Sequence, residues 1–143
     1  DQNYVRRLEG TFIKTGSNKM DLANQVEKDI KNFAKKHETR ANVMIWCGST
    51  EIFFKSGDVH SSLEKFEEGL HNNNPAISPS MIYAYAAIKN GIPFANGAPN
   101  LTVDIPALTE LAKATNSPLA GKDLWFHCHA IHREFHLPHR QLA

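Results

Sequence analysis

Ala41-Asn42-Val43-Met44-Ile45-Trp46-Cys47, closed by Gly48-Ser49-Thr50, is the stretch on which the fold turns. It is short, nearly continuous in apolar residues and ended by a glycine, which predicts a buried strand rather than a helix. Upstream, Leu22, Val26, Ile30, Phe33 and Ala34 recur at intervals of three and four, opposite Glu27, Lys28, Lys31 and Lys35. That spacing predicts an amphipathic helix. A helix feeding a buried strand is the rhythm of a parallel α/β sheet.

Downstream the same alternation continues. Ser61 and Glu64 have the spacing of a capping box, and Leu63, Phe66 and Leu70 share one face, so a short helix should run to the Asn72-Asn73-Asn74 loop. Ser78 before Pro79 reads as a hydroxyl cap on a second helix; Met81 to Ile88 continue it, apolar enough for burial on most sides, and Gly91 stops it. Ile92 to Ala95 predict another strand, Asn96-Gly97 a turn, and Pro106 with Leu108, Leu111 and Ala112 a further helix before Leu119-Ala120-Gly121. Residues 127–143 differ in character, holding five of the eight histidines (His127, His129, His132, His136, His139) and Cys128.

At 143 residues and 41% hydrophobic, the chain supports one ordinary core. Sixteen basic against fifteen acidic residues give a net charge of +1, too little to hold a nucleic-acid backbone or an anionic membrane by charge. Two cysteines, Cys47 and Cys128, make no disulfide framework, and neither a spanning apolar run nor a signal peptide is recognisable. The expectation is a soluble protein of a reducing compartment, the cytoplasm.

In an open parallel sheet, ligands bind beyond the carboxyl ends of the strands, where helix amino termini and free amides converge. Gly48-Ser49-Thr50 stands at such an end. Its glycine permits close backbone approach and its hydroxyls suit ribose or phosphate, although a plain turn explains the same residues. Ser78-Pro79-Ser80 reads either as an anion or ribose site or as simple capping. Asn96 and Asn100 place two carboxamides on a turn, where each donates and accepts, as a nicotinamide amide or sugar hydroxyl requires. A helical tail would align His129, His132, His136 and His139, but Pro138 interrupts it and no zinc-ligand pattern supports a site, so no metal is assigned. Neither a Rossmann glycine-rich turn nor a phosphate-loop lysine motif occurs, and from residues alone the reading stops at a partial α/β ligand-binding unit.

Four motifs together carry a resemblance. Val43 to Glu51, Ile77-Ser78-Pro79-Ser80, Pro93 to Asn100 and Ala120-Gly121-Lys122-Asp123 resemble, in order and separation, successive motifs of the myo-inositol-1-phosphate synthase (inositol-3-phosphate synthase) family. The wording from Asn96 to Ala107 is similar to bacterial members. The resemblance spans about residues 20 to 123 and implies a central fragment of an NAD-dependent isomerase that converts glucose 6-phosphate to inositol phosphate by internal oxidation, aldol cyclisation and reduction. Full-length members are homo-oligomers, commonly tetramers.

Carried over residue by residue, Gly48, Ser49 and Thr50 match the family's cofactor loop, with Thr50 agreeing and Cys47, Gly48 and Ser49 departing. Ser78 and Ser80 match its Ser-Pro-Ser element near the dinucleotide, Asn96 and Asn100 its Asn-Gly turn, and Asp123 an acidic residue before its catalytic stretch. These eight residues are the expected NAD-binding set. After Asp123 the agreement ends: Trp125 stands where a catalytic lysine belongs, and an indole supplies no positive charge to an oxyanion. No catalytic residue is therefore assigned, and the chain alone is not expected to turn over. The implied fold is α/β, a partial Rossmann-like NAD-binding sheet running into the start of an α+β catalytic and tetramerisation domain. Residues 1–103 would close the first, 104–123 open the second, and 124–143 form a divergent or frame-shifted His-rich tail. Two other readings stand beside it: a noncatalytic NAD-fold binding or assembly module lacking the lysines, and a metal-binding protein built on the histidines.

Overall fold

A computed structural model describes residues 13–48, 51–52 and 54–121. Helix α1 spans Lys19–His37; the Asn18 side chain accepts from the Asp21 amide at its start, and Lys35, Lys36 and His37 oppose the negative end of its dipole. It buries Met20, Ala23 and Val26, with Ile30 packed partly against the core. The apolar stripe outruns its cover, and Phe33 is exposed.

Strand β1 is Met44–Trp46, α2 is Leu63–His71, α3 is Pro79–Lys89 and β2 is Phe94–Asn96; α4, Pro106–Thr115, and β3, Leu119–Ala120, complete the order. The three strands are parallel in the order β1-β2-β3, with Met44 opposite Phe94 and Phe94 opposite Leu119. The mixed α/β architecture and its parallel sheet agree with the sequence reading. One core joins all four helices to Met44, Trp46, Phe94 and Leu119, so the described helices gather on one face of the sheet. Its centre is α3, where Met81, Ala84, Tyr85, Ala87 and Ile88 are all at most 1% exposed. Burying each large side chain there contributes about 1.5–3 kcal/mol. Packing is continuous across residues 103 and 104, since Val103, Ile105 and Leu108 all belong to this core.

Several local expectations shift. The strand expected over Ala41–Cys47 shrinks to three residues at a sheet edge, and Val43 and Ile45 are 64% and 57% exposed rather than buried. Alternation explains this: Met44 and Trp46 meet the helices, while Val43 and Ile45 point to the other face. β2 begins at Phe94, not Ile92, because the Ile92 amide still closes α3 by donating to Ala87 O. Gly91 does stop that helix, with φ of 71°. A 3-10 turn over Asp58–His60 consumes Ser61, whose hydroxyl donates to Asp58 O, so Ser62 rather than Ser61 caps α2 through the Lys65 amide. Leu119–Ala120, which the sequence marks only as a short segment after a helix, forms β3. No helix among the described residues is long and apolar enough to cross a membrane.

Candidate functional site

Because the strands are parallel, Trp46, Asn96 and Ala120 end at one edge of the sheet. The Gly97 amide donates to Trp46 O at 2.9 Å, carrying the pairing of β1 and β2 one residue further. Gly121 follows β3 with φ of 132°, and a Cβ there would sit 2.8 Å from Asn96 O and 2.9 Å from Asn96 Cβ. Only glycine lets that chain pass so close in that conformation. At Gly48 a Cβ would lie 2.7 Å from the Trp46 indole, which folds back over the chain and packs on Tyr83 at 5.5 Å between centroids. The Trp46 Nε1 is buried and has no hydrogen-bond partner among the described residues.

Around this edge lies a polar cluster held by Glu51. Its Oε1 accepts from the Ser80 amide at 2.8 Å; its Oε2 accepts from the Ser80 hydroxyl at 2.5 Å and from Asn100 Nδ2 at 3.0 Å. The Glu51 amide donates back to Asn100 Oδ1 at 3.2 Å. The Ser80 hydroxyl also shares contacts with Ser78 Oγ at 3.0 Å and Thr102 Oγ1 at 2.8 Å. Asn96 closes the far side: Nδ2 donates to Asn100 O at 3.0 Å and Oδ1 accepts from the Ala98 amide at 3.0 Å. Ser78, Ser80, Asn96, Asn100 and Thr102 are all buried. Sealed from water, each needs these partners, since an unmatched buried polar group costs about 1–3 kcal/mol.

The start of α3 is consequently not capped as its sequence suggests. Ser78 occupies the cap position but makes no side-chain cap bond; Glu51, 29 residues before Ser80, accepts from the Ser80 amide and satisfies the first turn instead. A carboxylate suits that place, because the amino-terminal end of a helix carries partial positive charge. The loop leading into it is pinned from behind. Lys19 Nζ donates to Asn74 O at 2.5 Å and Ile77 O at 2.6 Å, and burial pushes its ammonium below the ordinary lysine range. His60, fully buried, accepts from the Gly57 amide through Nδ1 at 3.0 Å and so donates to Ala76 O through Nε2 at 3.0 Å.

Of the expected cofactor residues, Ser78, Ser80, Asn96 and Asn100 thus meet in one cluster, and Gly48 stands at the same sheet edge beside Trp46. Ser49, Thr50 and Asp123 lie outside the described residues, as do the histidines of 127–139 and Trp125. Sequence reasoning misses Glu51, Thr102, Lys19 and His60. Glu51 ends the first motif and Thr102 lies within the Asn96 to Ala107 stretch, and that membership is the signal that could have found them; Lys19, and His60 through Ala76, act on a segment far along the chain that no local pattern marks. Two surface cavities lie elsewhere, one along α1 (Asn24, Glu27, Lys31), the other beside α4 (Ser61, Thr109, Lys113). Among the described residues no group of three or more His, Cys, Asp or Glu could hold a metal.

The donor set bears on which part of a dinucleotide it suits. The cluster holds one carboxylate, three hydroxyls and two carboxamides, with no cation hydrogen-bonded to them among the described residues. Because these groups are buried and bonded to one another, they shape the loops rather than meet a ligand themselves, and the Glu51 carboxylate disfavours a pyrophosphate beside it. Trp46 Nε1, without a partner among the described residues, is an unused donor at this edge.

Comparison with known proteins bears on the same region. A family model described as myo-inositol-1-phosphate synthase, an NAD-binding one, matches residues 1–126. Inositol-3-phosphate synthase 1 of Bacteroides thetaiotaomicron is 44% identical over 124 residues, which are 86% of this chain and 29% of that protein. Inositol-3-phosphate synthase 1 of Oryza sativa subsp. japonica is 34% identical over 106 residues, 73% of this chain and 21% of the relative. The crystal structure of inositol-3-phosphate synthase from Caenorhabditis elegans aligns with a TM-score of 0.73 at 28% identity, covering 79% of this chain and 22% of that one. The chain therefore spans less than a third of the length of each of these relatives.

Proposed function

The chain belongs to the myo-inositol-1-phosphate synthase family, and from that premise we propose that it is a central piece of an inositol-3-phosphate synthase, contributing one wall of the NAD site. The reaction is the isomerisation of D-glucose 6-phosphate to 1D-myo-inositol 3-phosphate. NAD, when bound, supplies the internal oxidation and the closing reduction around an aldol cyclisation.

The observation that carries the reading is the gathering of Ser78, Ser80, Asn96 and Asn100 at the carboxyl edge of a parallel sheet, in a chain matched by an NAD-binding family model. Gly48 lets the main chain come close to the cofactor, and Ser49 and Thr50 offer hydroxyls to it. Ser78, Ser80, Asn96 and Asn100 hold the surrounding loops in place, buried and mutually bonded, so that amides of those loops face the ligand. Asp123 closes the set after β3. In this reading residues 1–103 end the NAD-binding domain and 104–123 begin the catalytic one, the two sharing a single core through Val103, Ile105 and Leu108, and 124–143 are the divergent tail. The whole protein works in the cytoplasm as a tetramer; the exposed free thiol of Cys47 suits a reducing compartment.

Trp125 favours a second reading for this chain taken alone, a noncatalytic module that keeps the dinucleotide-side loops. Calorimetric titration with NAD, run beside an assay for inositol phosphate from glucose 6-phosphate, separates the cases. Saturable NAD binding without product is expected of this chain. Absence of binding at millimolar NAD would contradict the cofactor assignment, and product would contradict the loss of catalysis ascribed to Trp125.

A further inference from the structure

Glu51 comes directly after the loop given to the cofactor and has no part in that assignment. We propose that Glu51 is the positioning residue of the NAD site, an inference that rests on the function proposed above. Its side chain and amide join two segments that are distant in sequence. One is the first turn of α3, through the Ser80 amide and hydroxyl; the other is the loop after β2, through the reciprocal pair with Asn100. A residue that merely capped α3 would need only the bonds to Ser80. The pair with Asn100 adds nothing to capping, but it fixes the loop after β1 against the loop after β2, and Asn100 in turn holds Asn96 through its carbonyl. Glu51 thus sets the spacing between the loops that border the cofactor, and it acts on NAD through Ser80 and Asn100.

The carboxylate is used only as an acceptor, and Asn100 presents its amide nitrogen to the carboxylate and its oxygen to the Glu51 amide. In Glu51→Gln the new side-chain oxygen can still accept from the Ser80 amide, but its NH2 meets the Asn100 NH2, donor against donor. Turning Asn100 over relieves that clash only by setting its NH2 against the Glu51 amide. In Asn100→Asp two carboxylates face each other. Combining the two changes restores complementarity, because the introduced carboxamide then donates to the introduced carboxylate, whose other oxygen still accepts from the main-chain amide of position 51.

The test is NAD affinity of the whole chain in the four forms, measured well below the unfolding temperature of each. Glu51→Gln and Asn100→Asp are each expected to weaken binding at least tenfold, and the double variant to recover to within threefold of the unaltered chain. A pure cap of α3 would show no rescue from position 100. The assignment is overturned if Glu51→Gln binds NAD within twofold of the unaltered chain, or if the double variant is as weak as the singles. Should Asn100→Asp fail to fold alone, Glu51→Gln and the double variant decide it by the same criterion. An unaltered chain that does not bind NAD overturns the functional reading and this assignment with it; binding that is indifferent to Glu51 overturns the assignment alone.

Discussion

One face of the sheet carries Met44, Trp46, Phe94 and Asn96 beneath the helices; the other carries Val43 and Ile45, well exposed. Both sets come from apolar or strand-forming stretches, yet only the first is covered among the described residues. Parallel sheets are ordinarily buried on both faces. Among the described residues, burial is thus concentrated in a single layer, and the polar cluster is part of it: Ser80, Thr102 and Asn96 are as inaccessible as Phe94.

Changes on the covered face should be costly. Phe94, 1% exposed, lies on the central strand, and Phe94→Ala should lower unfolding free energy by about 3–5 kcal/mol in denaturant titrations. Chemical rather than steric perturbation of the same layer comes next. The Tyr85 hydroxyl donates to Glu67 at 2.7 Å, and burial, then Glu67, hold the phenol well above its ordinary value of 10.0. A raised folded value means that the protonated phenol stabilises the fold fully below pH 10 and that this contribution is lost as pH rises through the folded value. Stability should thus decline above pH 10, and Tyr85→Phe should flatten that decline while costing about 1 kcal/mol at neutral pH. On the open face the effect should nearly vanish. Ile45→Thr is expected to stay within about 0.5 kcal/mol of the unaltered chain and to reduce self-association seen by light scattering. A loss at Ile45 comparable to that at Phe94 would mean that the second face is covered after all.

The sequence is legible wherever the chain states its structure locally. The beginning of α3 is announced by Ser78-Pro79 and its end by Gly91, and the 3.6-residue rhythm of α1 runs from Leu22 to Ala34. Errors arise where a neighbour decides. Spacing to Glu64 points to Ser61 as the cap, but a 3-10 turn claims it and leaves that place to Ser62. The exposure of Ile45 depends on which side the helices take, and no periodicity encodes that. β3 is two residues long, too short for any pattern to mark. Within the candidate site, the polar residues are visible as types on turns, but their common anchor is not: Glu51 reaches 29 and 49 residues along the chain to Ser80 and Asn100. Lys19 and His60 escape notice likewise, because their partners are main-chain groups, which any sequence offers everywhere.

The claim that the strand ends form one wall of a dinucleotide site is tested most directly by amide chemical-shift mapping of the chain during an NAD titration. Shifts should concentrate at Gly48, Ser80, Gly97, Asn100 and Gly121, on the edge where β1, β2 and β3 terminate. Shifts confined to the surface cavities along α1 or beside α4, with that edge silent, would contradict it.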